Sequence, residues 1–153
     1  MNKLKNQFNQ KGSETVELAL VMPIFIFFFF GVADFGFMIY DKAIITNASR
    51  EAARTGIAVA APQRPTIDQI TKIATDYCNN SHLINFSNTL ITPSITITPN
   101  PQTPTNTTFS EPLTVLIDYQ YNHLILGKII RLITFGSFPD KTIIKSKITM
   151  LYE

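Results

Sequence analysis

The sequence predicts an α+β fold in which a long N-terminal transmembrane helix carries a small domain with an antiparallel sheet of three or more strands. An apolar stretch without charge runs from Leu18 to Ala33, and the C-terminal half contains segments in which apolar and polar residues alternate. At 153 residues, with nine prolines and six glycines, the chain fits one membrane helix and one small domain.

The apolar stretch is long enough to cross a bilayer. If Asp34 is accepted near its end, it runs from Leu18 to Tyr40, which is 23 residues, or roughly 34 Å of helix against a hydrocarbon core of ~30 Å. A buried helix of a soluble protein is usually shorter and alternates with polar positions. A cleavable secretory signal has an apolar region of only ~7 to 15 residues, and here Glu17 separates the apolar stretch from the basic leader. We therefore expect a retained transmembrane segment at about 18–40.

The charges before the apolar stretch predict its orientation. Lys3, Lys5 and Lys11 stand in the first twelve residues, which contain no acidic residue. Positive charge beside a membrane helix tends to stay on the cytoplasmic side. We therefore expect a cytoplasmic N-terminus, a single pass through the cytoplasmic membrane and a C-terminal domain outside.

The junction between leader and helix resembles the processing site of type IV pilins and their relatives. The basic leader ends at Gly12, Ser13 follows it, and Glu17 is the fifth residue after the glycine, at the mouth of the apolar helix. The resemblance implies that a prepilin peptidase, a membrane aspartyl peptidase, cuts between Gly12 and Ser13 from the cytoplasmic side. Residues 1–12 would then be a leader peptide, and the apolar helix would stay on the mature chain.

Glu17 stands where a carboxylate enters hydrocarbon, which costs free energy unless the charge finds a partner. Cleavage would create such a partner, the new amine of Ser13, which lies four residues or about 6 Å of helix rise away in the same chain. A neighbouring subunit shifted along the axis could offer its amine directly. The alternative is a glutamate that simply extends to the headgroups.

Asp34 is predicted to mark the outer membrane boundary. It lies 16 residues beyond Leu18, roughly 24 Å along the helix. At that depth its carboxylate can reach headgroup water, or a cation such as Lys42 or one on a partner helix. We expect interfacial placement and not an ion path.

Besides the junction, the first third of the chain contains a wider set of residues that form a pattern: Pro23, Asp34, Phe35, Gly36, Ala48, Arg50, Glu51, Ala52, Ala53 and Arg54. As a set they resemble the TadE-like family, the pseudopilins of tight-adherence pilus systems. The resemblance implies a bacterial, pilin-like protein that acts in pilus assembly and cell adhesion, is membrane-bound or associated with the pilus, and has other pilins or pseudopilins and the assembly machinery as partners.

The N-terminal helix is expected to continue to Ala61, so that it covers residues 13–61, and Pro62 would end it. Small and apolar residues recur every three or four positions beyond Asp41 and make a narrow seam that allows close approach of another element. That element is either the sheet of the same domain, the commoner case, or a helix of a filament. The seam residues are Ile45, Ala48, Ala52, Gly56 and Val59.

Residues 62–153 are expected to form the extracytoplasmic α+β domain. Thr66 and Gln69 have the spacing of a capping box, and the helix that follows presents Ile67, Ile70, Ala74 and Tyr77 on one side and ends near Asn79. Alternation predicts strands at 94–98, 113–121 and 142–152. In the second strand the buried face would be Leu113, Val115, Ile117, Tyr119 and Tyr121, and in the third Ile144, Ile148, Met150 and Tyr152.

The segment from Leu124 to Phe138 is mostly apolar, has helical spacing and carries charge only at Lys128 and Arg131. It is too short to span a bilayer. Either it packs on the sheet, or it lies on the outer face of the membrane with its two cations toward lipid headgroups.

The sequence contains no pattern that indicates catalysis, a cofactor or a metal. His82 and His123 stand without a nearby acid or cysteine cluster and are expected to be structural or surface residues. Cys78 is the only cysteine, so it can form neither an intramolecular disulfide nor a zinc cage. It is either buried or paired between molecules.

The net charge of +2 includes three leader lysines, so the mature chain would carry −1, which excludes a nucleic-acid-binding footprint. The predicted function is that of a pseudopilin or minor pilin in tight-adherence pilus biogenesis. The alternative is an uncleaved single-pass membrane protein whose outer domain binds a ligand or partner.

Overall fold

The computed structural model describes residues 2–58, 63–87, 91–99, 112–124, 126–136 and 141–151. Three helices and three strands follow one another in the order helix, helix, strand, strand, helix, strand, which confirms the α+β class. Their bounds are α1 Asn2–Ile57, α2 Ile67–Asn80, β1 Ser94–Thr98, β2 Pro112–Asn122, α3 Leu126–Ile133 and β3 Lys141–Leu151.

Helix α1 passes through two environments. All side chains from residue 13 to residue 29 are exposed, whereas Asp34, Asp41 and the small residues beyond them are buried against the rest of the chain. Continuous helix through both is favoured because the apolar half lacks polar side chains that would compete for backbone hydrogen bonds. The helix ends at Ile57, because Ala58 is a bend and not helical, so it ends earlier than the predicted Ala61, which itself lies outside the described residues with Pro62.

The sheet has the strand order β1-β2-β3, and both pairings are antiparallel. The central strand β2 pairs with β3 from Pro112↔Leu151 to Asn122↔Lys141. Alternate residues of β2, from Leu113 to Tyr121, are almost fully buried, as the alternation predicts. In β3 Lys145 and Lys147 are exposed as expected, and Tyr152 lies outside the described residues.

The seam of α1 packs on the chain's own domain, which confirms the commoner of the two expected arrangements for its described part. Ala48 and Ala52 are completely buried, and Ser49 Oγ lies 2.7 Å from Ser146 Oγ of β3. At Gly56 a Cβ atom would overlap the Leu113 side chain of β2 and lie 3.1 Å from Ile70 Cδ1 of α2. Only glycine fits this approach without displacement of its neighbours.

The direction of β2 follows from these contacts. Its first residues lie beside Gly56 of α1, while Tyr121 at its other end bonds to Asp34. Because β2 therefore runs antiparallel to α1, the residues after β2 and helix α3 are placed beside the C-terminal end of the apolar half of α1.

Helix α2 begins with the predicted capping box. The Thr66 N–H donates to Gln69 Oε1 at 2.9 Å, and the Gln69 N–H donates to Thr66 Oγ1 at 3.2 Å. Its buried residues are Ile70, Ala74 and Cys78, so Cys78 and not the half-buried Tyr77 completes the apolar stripe. This stripe packs against α1.

Helix α3 is shorter than the apolar segment that predicted it, and its main described neighbour is α1, not the sheet. Ile130 of α3 faces Gly31, Phe35 and Met38 of α1 across a cavity of about 290 Å³. The expectation that this segment packs on the sheet therefore does not describe its principal contact.

Candidate functional site: the apolar helix and its junction with the domain

The apolar half of α1 has no cover from the other residues that the structure describes. It is the one helix of the described residues that is long and apolar enough to cross a membrane, with a mean hydropathy of 2.4 over its most apolar window, none of which is buried. An unbroken apolar surface of this size in water would favour aggregation, so a bilayer or other subunits must cover it. The large exposed side chains include Val16, Leu18, Leu20, Val21, Ile24, Phe25, Phe28, Phe29, Val32 and Phe35.

The predicted processing site lies at the start of this surface. Gly12 is within α1, and Ser13 and Glu17, one helical turn apart, are both exposed. Because Glu17 is exposed, its carboxylate can pair with a charged group of another chain, as the assembly prediction requires. Cleavage between Gly12 and Ser13 remains a prediction.

Asp34 is not an interfacial carboxylate open to headgroup water, because it is only 3% exposed. Its Oδ1 accepts hydrogen bonds from the Tyr121 hydroxyl at 2.7 Å and from the Leu124 backbone N–H at 3.1 Å. Its Oδ2 lies 2.8 Å from His123 Nδ1. The expected cation, Lys42, instead donates to the backbone carbonyl of Lys145.

The other side of the histidine ring extends this network. His123 Nε2 lies 2.9 Å from Thr142 Oγ1, and the ring stands edge-on to Tyr121 with 5.5 Å between centroids. The Tyr121 hydroxyl also donates to the Asp34 backbone carbonyl at 3.1 Å. Burial, and then the hydrogen bond to Asp34, raise the pKa of Tyr121, so its hydroxyl remains a donor.

We call Asp34, Tyr121, His123, Leu124 and Thr142 the Asp34 clasp. It joins one helix to the end of β2 and the start of β3, and every oxygen of the buried carboxylate has a partner. A buried carboxylate satisfied in this way is stable, but loss of one member leaves buried polar groups unpaired. The clasp therefore fixes the orientation of the domain relative to the C-terminal end of the apolar half of α1.

Sequence reasoning placed His123 correctly as structural but missed its acid, because the two residues are 89 positions apart. The sequence did contain one indication that Asp34 has a partner. Asp34 is the only charge in the apolar stretch, and a lone charge there requires a buried partner or water.

A second carboxylate follows two turns later. Asp41 is completely buried, and its Oδ1 accepts from the Ile84 N–H at 2.9 Å. Its Oδ2 is buried and has no hydrogen-bond partner among the described residues. Asp41 lies beyond the predicted span, and burial, partly opposed by the Ile84 hydrogen bond, raises its pKa from the ordinary 3.8 to about 6.

Asp41 belongs to a group of contacts that holds the connection after α2. The Tyr40 hydroxyl donates to the Ser81 carbonyl at 3.2 Å, and the Tyr119 hydroxyl donates to the Ile84 carbonyl at 3.1 Å. Because these bonds come from α1 and β2, residues 81–84 are held beside the same part of α1 as the clasp.

Cys78 is 1% exposed, and burial raises the pKa of its thiol to about 11. A buried thiol that is almost wholly protonated near neutral pH is a poor nucleophile. Its packing in α2 fits the buried alternative and gives an intermolecular disulfide no access. In the part of the chain that the structure describes, no group of three or more His, Cys, Asp and Glu residues could hold a metal ion.

The comparison with protein families finds one match on this site. The family model described as TadE-like protein matches residues 12–54, which confirms the resemblance and covers the predicted processing site, the apolar half of α1, both buried aspartates and most of the seam. No curated protein and no solved structure matches the chain significantly. The match lies wholly in α1 and covers 43 of the 153 residues, so the similarity to the TadE-like family rests on this helix, which includes the one candidate membrane span among the described residues.

Proposed function

We propose, on the premise that residues 12–54 are TadE-like, that the chain is a pseudopilin or minor pilin that takes part in building a tight-adherence pilus. One observation carries the proposal. The apolar half of α1 is exposed over its whole length while the other half packs on the domain, so the free half is available first to the bilayer and then to other subunits. Such a role is structural and needs no catalytic group.

Processing by a prepilin peptidase between Gly12 and Ser13 is part of the proposal. The leader has Lys3, Lys5 and Lys11 and no acidic residue. This charge supports a leader on the cytoplasmic side of the inner membrane and a domain on the other side. The peptidase, the other pilins and the assembly machinery are then the partners. Mature α1 would begin at Ser13, one turn before Glu17.

Glu17 is the proposed assembly residue. Its best charge partner is the Ser13 amine that cleavage creates, and a neighbouring subunit can present that amine without bending its helix. The pair would lie at the edge of hydrocarbon, where a charged hydrogen bond is stronger than in water.

A second candidate function is an uncleaved anchor whose outer domain binds a ligand. The observation that supports it is a cavity of about 380 Å³ beside the end of α2, lined in part by Asn79, His82 and Tyr119. The two functions differ in one respect that is simple to measure, the N-terminus of the protein in the cell.

Intact-mass analysis of the membrane-extracted protein, with and without the prepilin peptidase, tests the proposal. We expect a chain that begins at Ser13 only when the peptidase is present, and Gly12→Ala should block processing and leave membrane insertion intact. A Met1 terminus in the peptidase-positive cell would overturn processing and favour the uncleaved anchor.

A further inference from the structure

The segment 126–136, which we call the foot segment, combines helix α3 with the turn that ends it. Gly127 is buried and Ile130 faces α1, while Lys128 and Arg131 are exposed. The helix therefore has one face against α1 and a cationic face away from it. This arrangement is typical of a helix that lies at an interface between apolar and aqueous media.

The turn at the end of α3 holds an aromatic residue in an unusual position. The Thr134 N–H makes a last α-helical bond to the Ile130 carbonyl at 2.8 Å, and the Gly136 N–H donates to the Arg131 carbonyl at 2.8 Å, which is the six-to-one bond of a Schellman cap. The residue between them, Phe135, has φ of 50° and a side chain that is 98% exposed.

Glycine normally takes this left-handed position, because a Cβ atom there lies too close to the following carbonyl oxygen. Phe135 carries that strain, and its nearly complete exposure means that the ring gains almost no packing within the chain. A large apolar side chain held outward at some local cost indicates a contact outside the chain.

The place of the foot segment identifies that contact. Through Ile130 it meets α1 between Gly31 and Met38. From Leu18, ~20 residues of helix cross a ~30 Å core, which brings the outer edge of hydrocarbon to about residue 37. The exposed side chains of Val32 and Phe35 continue the lipid-facing surface of α1 to this level.

We propose that the foot segment docks on the outer surface of the lipid bilayer, with Phe135 inserted among the acyl chains and Lys128 and Arg131 directed to anionic headgroups. The cavity that Ile130 lines is also lined by Phe35, whose exposed side chain lies on the surface of α1 at this level. Lipid is the occupant because the foot segment adjoins the spanning helix and carries the charge sign that anionic headgroups attract.

Docking of the foot segment does not depend on cleavage of the leader. The domain then has two attachments near the membrane surface. The Asp34 clasp holds it to α1, and the foot segment holds it to lipid. A subunit that leaves the bilayer for a filament then has to withdraw Phe135 from lipid as well as its helix.

The absence of tryptophan from the sequence makes a direct test possible. Full-length Phe135→Trp is reconstituted in bilayers of phosphatidylcholine with phosphatidylglycerol, at low protein-to-lipid ratio. We expect blue-shifted emission that is quenched by lipids brominated near the headgroup end of the acyl chain, at a depth of about 5–10 Å, and protected from aqueous acrylamide.

Leu151→Trp is the matched control. Leu151 is 56% exposed and lies at the end of β3 that pairs with the start of β2, far from the Asp34 clasp. Its emission should be quenched by acrylamide and not by brominated lipid. Thr134→Trp, at the neighbouring exposed position, repeats the test if Phe135→Trp fails to fold.

Two results would overturn the proposal. One is acrylamide access at position 135 equal to that at position 151. The other is protection that appears only at high protein-to-lipid ratio, which would identify a second copy as the occupant. Lys128→Glu should reduce the bromolipid quenching in phosphatidylglycerol-containing bilayers more than in pure phosphatidylcholine, and an equal effect in both would remove the headgroup contact from the proposal.

Discussion

Asp34 and Asp41 lie two turns apart on α1, and both are buried. They differ in their number of hydrogen-bond partners, which decides whether the buried, ionised carboxylate stabilises or destabilises the domain. Asp34 receives three hydrogen-bonding groups from β2 and the residues after it. Asp41 receives one, and its second oxygen has no partner among the described residues. We therefore expect Asp34 to stabilise the domain and Asp41 to weaken it when ionised.

Asp34→Ala should destabilise the domain by about 3 kcal/mol or more, the usual cost of breaking a buried pair. The change removes the carboxylate partner of the Leu124 N–H and of His123 Nδ1, and it leaves the Tyr121 hydroxyl only the backbone carbonyl of residue 34. Asp34→Asn should cost less, because the amide oxygen still accepts from two of these groups. Urea unfolding in a mild detergent measures both.

Glu51→Ala is the control for Asp34→Ala, since Glu51 is exposed on the same helix and its loss should be nearly neutral. A double-mutant cycle with His123→Gln should give a coupling energy of about 1 kcal/mol or more with Asp34. Wild-type stability in Asp34→Ala would show that the clasp does not hold the domain.

The raised pKa of Asp41 predicts that the stability of the domain depends on pH. Its pKa is raised in the folded state to about 6, so the proton favours the folded chain: this contribution is complete below about pH 4 and is lost as pH rises through 6. Tyr119 and Cys78, which lie near it, have pKa values raised to about 12 and about 11 and do not titrate in this window.

Asp41→Asn should remove this dependence. The free energy of unfolding of the variant relative to wild type should rise by up to about 3 kcal/mol between pH 4 and pH 7, because two pKa units correspond to that amount. Glu51→Gln, on the exposed face of α1, should show no such change. A constant difference across the pH range would mean that Asp41 is not the group responsible.

At the scale of elements, α1 has two parts, an exposed apolar part and a part whose side chains are buried from Asp34 onward. We propose that Asp34, where the second part begins, marks the outer membrane boundary. Single cysteines at Phe28, Val32, Phe35 and Ile39, all exposed on α1, can be labelled from outside with a membrane-impermeant reagent. We expect Ile39→Cys to react and Phe28→Cys to be protected, with the change near Asp34.

The native Cys78 should contribute little background to this labelling, because it is buried and its pKa is raised to about 11. Leu151→Cys, on the exposed end of β3, serves as the positive control for a domain outside the cytoplasm. Protection of Ile39→Cys while Leu151→Cys reacts would contradict the boundary.

The local elements could be predicted from the sequence because their causes are local. Alternation gave β1 its observed bounds and β2 its buried face, and the Thr66 and Gln69 spacing gave α2 its start. The Asp34 clasp could not be predicted, because it depends on β2 running antiparallel to α1. The position of α3 could not be predicted either, because the topology of the domain, and not the apolar spacing of α3, determines that it contacts α1.

At the scale of the whole molecule, a domain is fixed to the C-terminal half of a helix whose N-terminal half has no cover among the described residues. The seam, the Asp34 clasp and the Asp41 contacts all act on residues 34–57. Residues 13–33 are left for lipid and for other subunits. This division of one helix into a folding half and an assembly half is the central claim.

Pilus output of Glu17→Gln tests that claim most directly, with Glu14→Gln, also exposed at the start of the apolar half, as the matched control. The glutamine keeps the shape of Glu17 but loses its charge, so cleavage, insertion and the folded domain should remain. Loss of a partly desolvated charge pair costs on the order of 3 kcal/mol, more than a hundredfold in association. We predict that Glu17→Gln is processed and stable but makes few pili while Glu14→Gln makes them normally; normal pilus output from processed Glu17→Gln would contradict the account.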